Sequence, residues 1–374
     1  MTKPAAALSA SPAEVKHTVI LDGTLTALSP IAVSPPSDAK DKDRVQRLPT
    51  MPVISDGVAH TTAYLPASTI RGALRRAAVA VVIDLLAETG GPKLTPNDYL
   101  LLALGGVKDR KDEGAGADKG VDLQAVREFR RTNPLVSLFG AMAIDVGGNL
   151  RVGHGVPTVP FQPGHLGVGA RHDPFARQPE LLELFDADAA REFLDRNADR
   201  QEGNRLETQA EHAKRKLSQM KAKKKDDDSK ALTAQIEQLQ ADAKAAFERA
   251  GGAVNIQQPL AGYEALPIGL EMRHRIVGDQ LPPIELALLL AALERFARQP
   301  TLGGHAAHGC GEITGTWAVS VARRGAAAQA AGTITLANHQ GLVVETDHPV
   351  LTAALALKDD LATQARGFDL GARD

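Results

Sequence analysis

The periodicity of apolar residues changes along this chain in a set order, and that order constrains the fold more than any other feature. Residues 17–33, HTVILDGTLTALSPIAV, alternate apolar and polar and predict a strand. In AYLPASTIRGALRRAAVAVVIDLLAETGG, Ile70, Leu74, Ala77, Ala78 and Val81 recur at helical spacing. Ser68, after Pro66, is the expected N-cap, and Gly90 with Gly91 the stop. PLVSLFGAMAIDVGGNLRVGHGVPTV returns to sheet character, turning at Gly147, Gly148 and Asn149. ALPIGLEMRHRIV alternates again, PPIELALLLAALERFARQP predicts an amphipathic helix with proline at its start, and ITGTWAVSVA is a further strand. GTITLANHQGLVVET predicts a terminal hairpin.

Three segments interrupt this order. Residues 34–60 open with prolines and charges and predict a loop. Residues 92–134 hold a short helix, TPNDYLLLALGG, a Gly/Lys/Asp-rich loop and a second helix, VDLQAVREFRRTN. Within 161–265 lies a stretch unlike the rest. Leu206, Ala210, Ala213, Leu217 and Met220, then Leu232, Ile236, Leu239, Ala243 and Ala246, are spaced as heptads around the polar run KKKDDDS. An antiparallel helical hairpin over about 204–250 follows, with one long helix as the alternative. Stripped of insertions, the order is strand, helix, strand, strand, helix, strand. This predicts an α+β fold, a ferredoxin-like or RRM-like palm of β-α-β-β-α-β order, in a single domain over 1–374. The fold hosts many functions and selects none.

Composition narrows the function. The 43 Lys+Arg against 45 Asp+Glu exclude a uniformly basic nucleic-acid-binding tail but not a local basic groove. Cys310 is the one cysteine, so disulfides, four-cysteine zinc sites and CxxC redox chemistry are out, and a reducing cytoplasm fits. The longest apolar run, Ala77 to Ala87, is broken by Asp84, and the N-terminal MTKPAAALSASPAEV lacks the apolar stretch of a secretory signal. No membrane partner is expected. Only 13 residues are Phe, Tyr or Trp, so any nucleic acid would be held mainly through its backbone.

Two segments carry chemistry. In LPASTIRGALRRAA, Arg71 and Arg75 are one turn apart beside a helix N-terminus, which offers free N–H groups and partial positive charge. Gly72 permits close approach of another backbone. The pair reads as a phosphate track or, alternatively, as solvated arginines on an ordinary surface helix. The second segment, Gly303 to Gly311, has four glycines in nine residues between a helix and a strand, and could present N–H donors to a ligand. It is neither a Walker loop nor a dinucleotide fingerprint. His305, His308 and Cys310 supply at most three zinc ligands from one flexible loop, so no metal or other cofactor is expected.

Together these segments resemble the RAMP superfamily of CRISPR-associated proteins. LPASTIRGALR is similar to that family's helix-start segment, PLVSLFGAM to its Leu-Phe-Gly segment (Leu138, Phe139, Gly140), and LGGHAAHGCGEI to its C-terminal glycine-rich loop, all in family order. Length and arrangement most resemble the backbone subunit that polymerises along CRISPR RNA, with the long helical insertion pointing to the type IV branch. The resemblance implies a palm holding RNA and a thumb, here about Phe161 to Ala265, folding over it. It implies RNA contacts at Ser68, Thr69, Arg71, Gly72, Arg75, Gly303, Gly304, His305, His308 and Gly309. ARHDPFARQP is similar to the thumb segment and adds Arg171 and Arg177. The implied partners are CRISPR RNA, target DNA or RNA paired to the guide, further copies of the chain, and other Cas subunits.

The resemblance also raises an enzyme reading, because type III backbone subunits cut target RNA with an Asp after the first strand. Asp38, Asp41 and Asp43 lie there and could bind Mg²⁺, but the Gly-Gly-x-Asp context is absent and His17 has no evident partner for a processing ribonuclease. The sequence therefore predicts a non-catalytic scaffold. A metal-dependent RNA endonuclease and a protein–protein adaptor built on the helical hairpin are the alternatives.

Overall fold

The computed structural model describes residues 15–33, 46–55, 57–91, 93–106, 123–167, 169–170, 179–222, 226–251, 259–260, 262–337 and 341–365. Two compact units emerge from the contacts: Met1–Gly167 with Gly262–Asp374, and Val168–Ala261.

The first unit is built on β1 (His17–Ala27), whose alternating burial puts Val19, Leu21 and Leu25 into the core. A hairpin follows, β2 (Thr50–Ser55) and β3 (Val58–Ala63), where the sequence reading expects loop through residue 60. Next come α1 (Ala67–Thr89), α2 (Pro96–Leu104), α3 (Leu123–Thr132) and α4 (Pro134–Phe139). The last is a correction, since PLVSLF reads as sheet from its apolar run. Asn133 overrides that preference: its side chain accepts from the Val136 N–H at 3.1 Å, with Pro134 at the first helical position and Gly140 (φ 73°) ending the turn. β4 (Leu150–Val152), β5 (Val156–Pro157) and β6 (Gly164–Leu166) close this half of the unit.

After the second unit the chain returns through β9 (Tyr263–Ala265), paired with β6, and β10 (Glu271–Leu281). The inserted unit thus takes the labels β7 (Gly169–Ala170), α5 (Ala187–Ala222), α6 (Asp226–Ala250) and β8 (Pro259–Leu260). Then follow α7 (Pro283–Ala297), β11 (Ile313–Arg323), β12 (Gln329–Ala337), β13 (Gly341–Glu345), α8 (Pro349–Asp359) and α9 (Leu361–Ala365).

The main sheet has the order β13-β12-β11-β1-β10-β4, with β5 also on β10, and every pair is antiparallel. Its centre, β11-β1-β10-β4, is the 4-1-3-2 arrangement of a ferredoxin-like fold, extended at one edge by the terminal hairpin. The architecture is α+β, as the order of periodicities predicts. Helix α7 differs from its amphipathic reading. Every residue from Glu285 to Leu293 is buried, because Leu357 and Leu361 of α8 and α9 cover its outer face at Ala287 and Ala291. A helix apolar all round needs cover all round.

Within the second unit, α5 and α6 form the hairpin. The Asp199–Arg249 ion pair at 2.9 Å and Gly203 against the Phe247 ring fix them as antiparallel and exclude one continuous helix. The first arm starts at Ala187, well before the heptads begin. Ala210, Ile236, Ala243 and Ala246 of the predicted stripes are buried, while Leu206, Leu217, Leu232 and Leu239 are half-buried. Among the described residues, no helix is long and apolar enough to cross a membrane.

Candidate nucleic-acid interface

Helix α1 begins at Ala67 with Pro66 as its N-cap, and no side chain caps it from within the segment. Ser68 is therefore inside the helix and exposed, a correction to its expected capping role. The cap comes instead from His154. Its Nδ1 accepts the Ala67 N–H at 3.0 Å, so that nitrogen carries no proton, and its ring meets Tyr64 edge-on with centroids 4.9 Å apart. The sequence carries no signal for this contact, because the two residues belong to distant segments brought together by the Leu65–Gly155 bridge.

Arg71 and Arg75 have different surroundings. Arg71 is half-buried, and one of its terminal N–H groups donates to the Phe139 carbonyl, tying the helix-start segment to the Leu-Phe-Gly segment. Arg75 is only 6% exposed. Its Nε donates to the Leu102 carbonyl at 2.5 Å and its Nη2 to Leu101 at 2.9 Å. It thus satisfies the Leu102 carbonyl in the last turn of α2, where a helix leaves carbonyls unpaired, and shares the Leu101 carbonyl with the Gly105 N–H. Burial first, and the neighbouring Arg71 charge second, push its pKa down to about 10, so it is still a cation at neutral pH. Arg75 is an interior residue and does not face a phosphate track, because α2 covers the face on which it was expected to be solvated. Thr69 is half-buried. A Cβ on Gly72 would meet nothing nearer than Arg76 Nη1 at 3.6 Å, so packing within the chain does not require glycine there.

The glycine loop is pinned to the segment after β1. The Gly304 N–H donates to the Ala32 carbonyl and the Gly311 N–H to the Pro30 carbonyl, each at 2.8 Å, while the Gly309 N–H donates to Ala306. These three donors are spent inside the protein, which corrects the expectation that the loop aims them at a ligand. Gly303 (φ +88°) and Gly311 (φ +98°) are demanded by the fold, since a Cβ would lie 2.3 Å from the Ala32 carbonyl oxygen and 2.4 Å from that of Leu302. Gly304 is exposed and free of such demands, its Cβ position being 3.9 Å from the nearest atom. Gly309 (φ +75°) and His308 are exposed, and His305 is half-buried.

Cys310 is buried with its Sγ 3.4 Å from the Tyr263 hydroxyl. That contact, then burial, raises the tyrosine pKa. Among the described residues, no group of three or more His, Cys, Asp or Glu is placed to hold a metal ion. Asp38, Asp41, Asp43, Arg171 and Arg177 lie outside the described residues.

Topology gathers these parts at one end of the sheet. β11 and β10 are antiparallel to β1 and both begin where β1 finishes, at the pairs Ala27–Ile313 and Thr26–Glu271. The glycine loop leads into β11 there. The start of α1 is held there too, through Leu65–Gly155 and the pairing of β5 with Met272 and Arg273. On the face of β10 opposite the buried Met272, His274 and Ile276, Arg273 and Arg275 are exposed, the latter 3.9 Å from Asp22.

No protein-family model and no curated protein matches the chain. A solved structure described as a Type IV-B CRISPR Complex aligns with 84% of this chain and 93% of its own, at 14% identity and a TM-score of 0.38. A likeness that distant carries no argument about function, which rests on the site.

Proposed function

We propose that this protein is an RNA-binding, non-catalytic backbone subunit of a CRISPR effector complex, of the RAMP superfamily and its type IV branch, with several copies assembled along CRISPR RNA. The observation that carries this reading is the convergence of the helix-start segment and the glycine loop at one end of a ferredoxin-like sheet. There, a half-buried Arg71, an unobstructed Gly72 and an exposed Gly304 lie on segments that resemble the RNA-contacting parts of that family. Their chemistry suits a sugar–phosphate chain: one fixed cation and two positions without side chains, where a backbone can come close. The other Cas subunits, the paired target and a prokaryotic cytoplasm belong to the same proposal.

Filter binding of single-stranded RNA by the full chain over a range of salt tests it. Arg71→Ala should weaken all sequences about equally and flatten the salt slope by roughly one unit, since a phosphate contact releases counterions and reads no base. Arg75→Ala should act through stability, because it removes the Arg75 donor from the Leu102 carbonyl while Leu101 keeps the Gly105 N–H, at a cost of about 1–3 kcal/mol. A wild-type chain that binds no RNA would defeat the proposal.

A further inference from the structure

Scarcity of Phe, Tyr and Trp argues against base stacking, but histidine is outside that count, and the glycine loop uses two of the chain's 11. His305 is the N-cap of a single 3₁₀ turn that ends with His308, closed by the His308 N–H donating to the His305 carbonyl at 2.8 Å. The two imidazoles lie nearly parallel, with centroids 5.8 Å apart and planes at 18°. His305 in turn stacks on Tyr263, at 3.9 Å and 7°.

The base of this ladder is rigid. Tyr263 is 6% exposed, paired through β9 with Leu166, in contact with Cys310, and so close to Gly167 that a Cβ there would lie 2.4 Å from the ring. His305 holds a left-handed backbone conformation (φ 60°), which a residue other than glycine adopts only where its surroundings enforce it. The ladder runs from a buried tyrosine through a half-buried histidine to an exposed one, beside the bare backbone of Gly303 and Gly304.

We propose that the outer face of His308 is a stacking platform for one unpaired nucleobase, with the sugar–phosphate chain of that nucleotide passing over Gly304. This rests on the RNA-binding reading and adds a contact to the base, where the sequence expects contacts to the backbone. The base stacks outside the ladder and does not enter it, because a ring inserted between the two imidazoles needs about 6.8 Å, twice the base rise, and they are 5.8 Å apart. All four bases present a π-face, so the platform is tolerant of sequence.

The test uses the full chain and a single-stranded RNA of mixed sequence, with affinity measured over a range of salt. His308→Ala should weaken binding by about 5- to 150-fold, the effect of one lost stacking contact, without changing the salt slope. His308→Phe should keep wild-type affinity, since it retains a flat ring. His308→Lys should be as weak as His308→Ala. Rescue by lysine but not by phenylalanine, or a slope lowered by about one in His308→Ala, would make the contact one to phosphate and overturn the platform. Wild-type affinity in His308→Ala would overturn it as well, while leaving the RNA-binding reading intact. Failure of the wild-type chain to bind RNA would defeat both.

Discussion

The central strand β1 carries Gly23 where its core face would otherwise present a large side chain, opposite His274 on β10 and Trp317 on β11. The reason is a contact made across the strand. The Trp317 indole N–H reaches over this position to His274 Nδ1 at 3.1 Å, and a Cβ on Gly23 would lie 1.9 Å from the Thr316 carbonyl oxygen. His274 is 1% exposed, and among the described residues its Nε2 has no hydrogen-bond partner. A proton on Nδ1 would confront the indole N–H, and one more charge would have to be held away from water. Burial therefore pushes the His274 pKa down to about 4, with a smaller opposing pull from the Gly153 backbone. Because the folded pKa is depressed below the unfolded value of about 6.5, the unfolded chain takes up the proton first. Stability from this group is complete above pH 6.5 and is lost as pH falls towards 4, to the extent of about 3 kcal/mol. His274→Gln keeps an acceptor for the indole and does not titrate. Urea unfolding of both proteins at pH 7, 5.5 and 4 should show the wild-type advantage shrinking by about that amount; a constant difference would contradict the assignment. Comparing the two proteins matters because Glu285, buried beside Asn149, has a raised pKa and pulls the pH dependence the other way. None of this is legible in the sequence. Gly23, His274 and Trp317 are far apart in the chain, and only strand register brings them together. The same limit hid the burial of Arg75, whose partners on α2 come from an insertion that sequence order alone leaves unplaced.

At the scale of elements, periodicity and end signals were informative where an element makes its own boundary. Helix α2 has a full capping box, in which the Asp98 N–H donates to Thr95 Oγ1 at 3.2 Å and the Thr95 N–H to Asp98 Oδ2 at 2.8 Å, and it lies where the pattern predicts. Helix α4 shows the opposite outcome, as its apolar run conceals Asn133 and Pro134, the residues that decide it. The glycine loop was visible as a cluster, but the cluster mixes two kinds of glycine. Gly303 and Gly311 serve the fold, and Gly304 is left open. Substitutions should separate them. Gly303→Val forces a side chain into the Ala32 carbonyl at a left-handed position and should lower the melting temperature sharply, consistent with a loss above about 3 kcal/mol. Gly304→Val meets no such obstacle, so the protein should melt near the wild-type temperature and yet lose RNA affinity, because the added isopropyl group blocks the approach of the sugar–phosphate chain. A Gly304→Val protein that melts normally and binds RNA as wild type would remove this loop from the interface.

Across the whole molecule, the order of periodicities was enough to give the 4-1-3-2 sheet, because each connection in that fold is set by neighbouring elements. The cover on the outer side of α7 was not foreseen, since α8 and α9 follow the last strand and have no place in the repeating order. The hairpin of α5 and α6 was foreseen from its heptads, and its surface chemistry bears on its partner. From Asn204 to Ala250 there are 11 Lys+Arg against 8 Asp+Glu. Along the two arms, Arg205 pairs with Glu202 at 2.7 Å, Lys214 with Glu211 at 3.0 Å, and Lys244 with Glu248 at 3.8 Å. The carboxyls of Glu202 and Glu211 titrate below their usual range for that reason, through hydrogen bonds to Arg205 and Lys214. Charge already compensated on the same helix is a poor attractor of phosphate beyond about 10 Å at physiological salt. The half-buried leucines leave apolar surface along the arms that a two-helix hairpin cannot cover by itself. The hairpin is therefore expected to meet protein, a neighbouring copy or another subunit, with RNA a secondary contact. Gly203 already lies against Phe247, so residues 204–246 can be replaced by a short Gly-Ser linker without pulling the remaining ends apart. The shortened chain should stay folded and bind single-stranded RNA within about threefold of wild type, a difference below about 1 kcal/mol. Its assembly into higher-order complexes on long RNA, read by analytical ultracentrifugation, should fail. Loss of RNA affinity as large as that of Arg71→Ala would instead make the hairpin an RNA clamp, and unimpaired assembly would leave its apolar stripe without a role in joining copies.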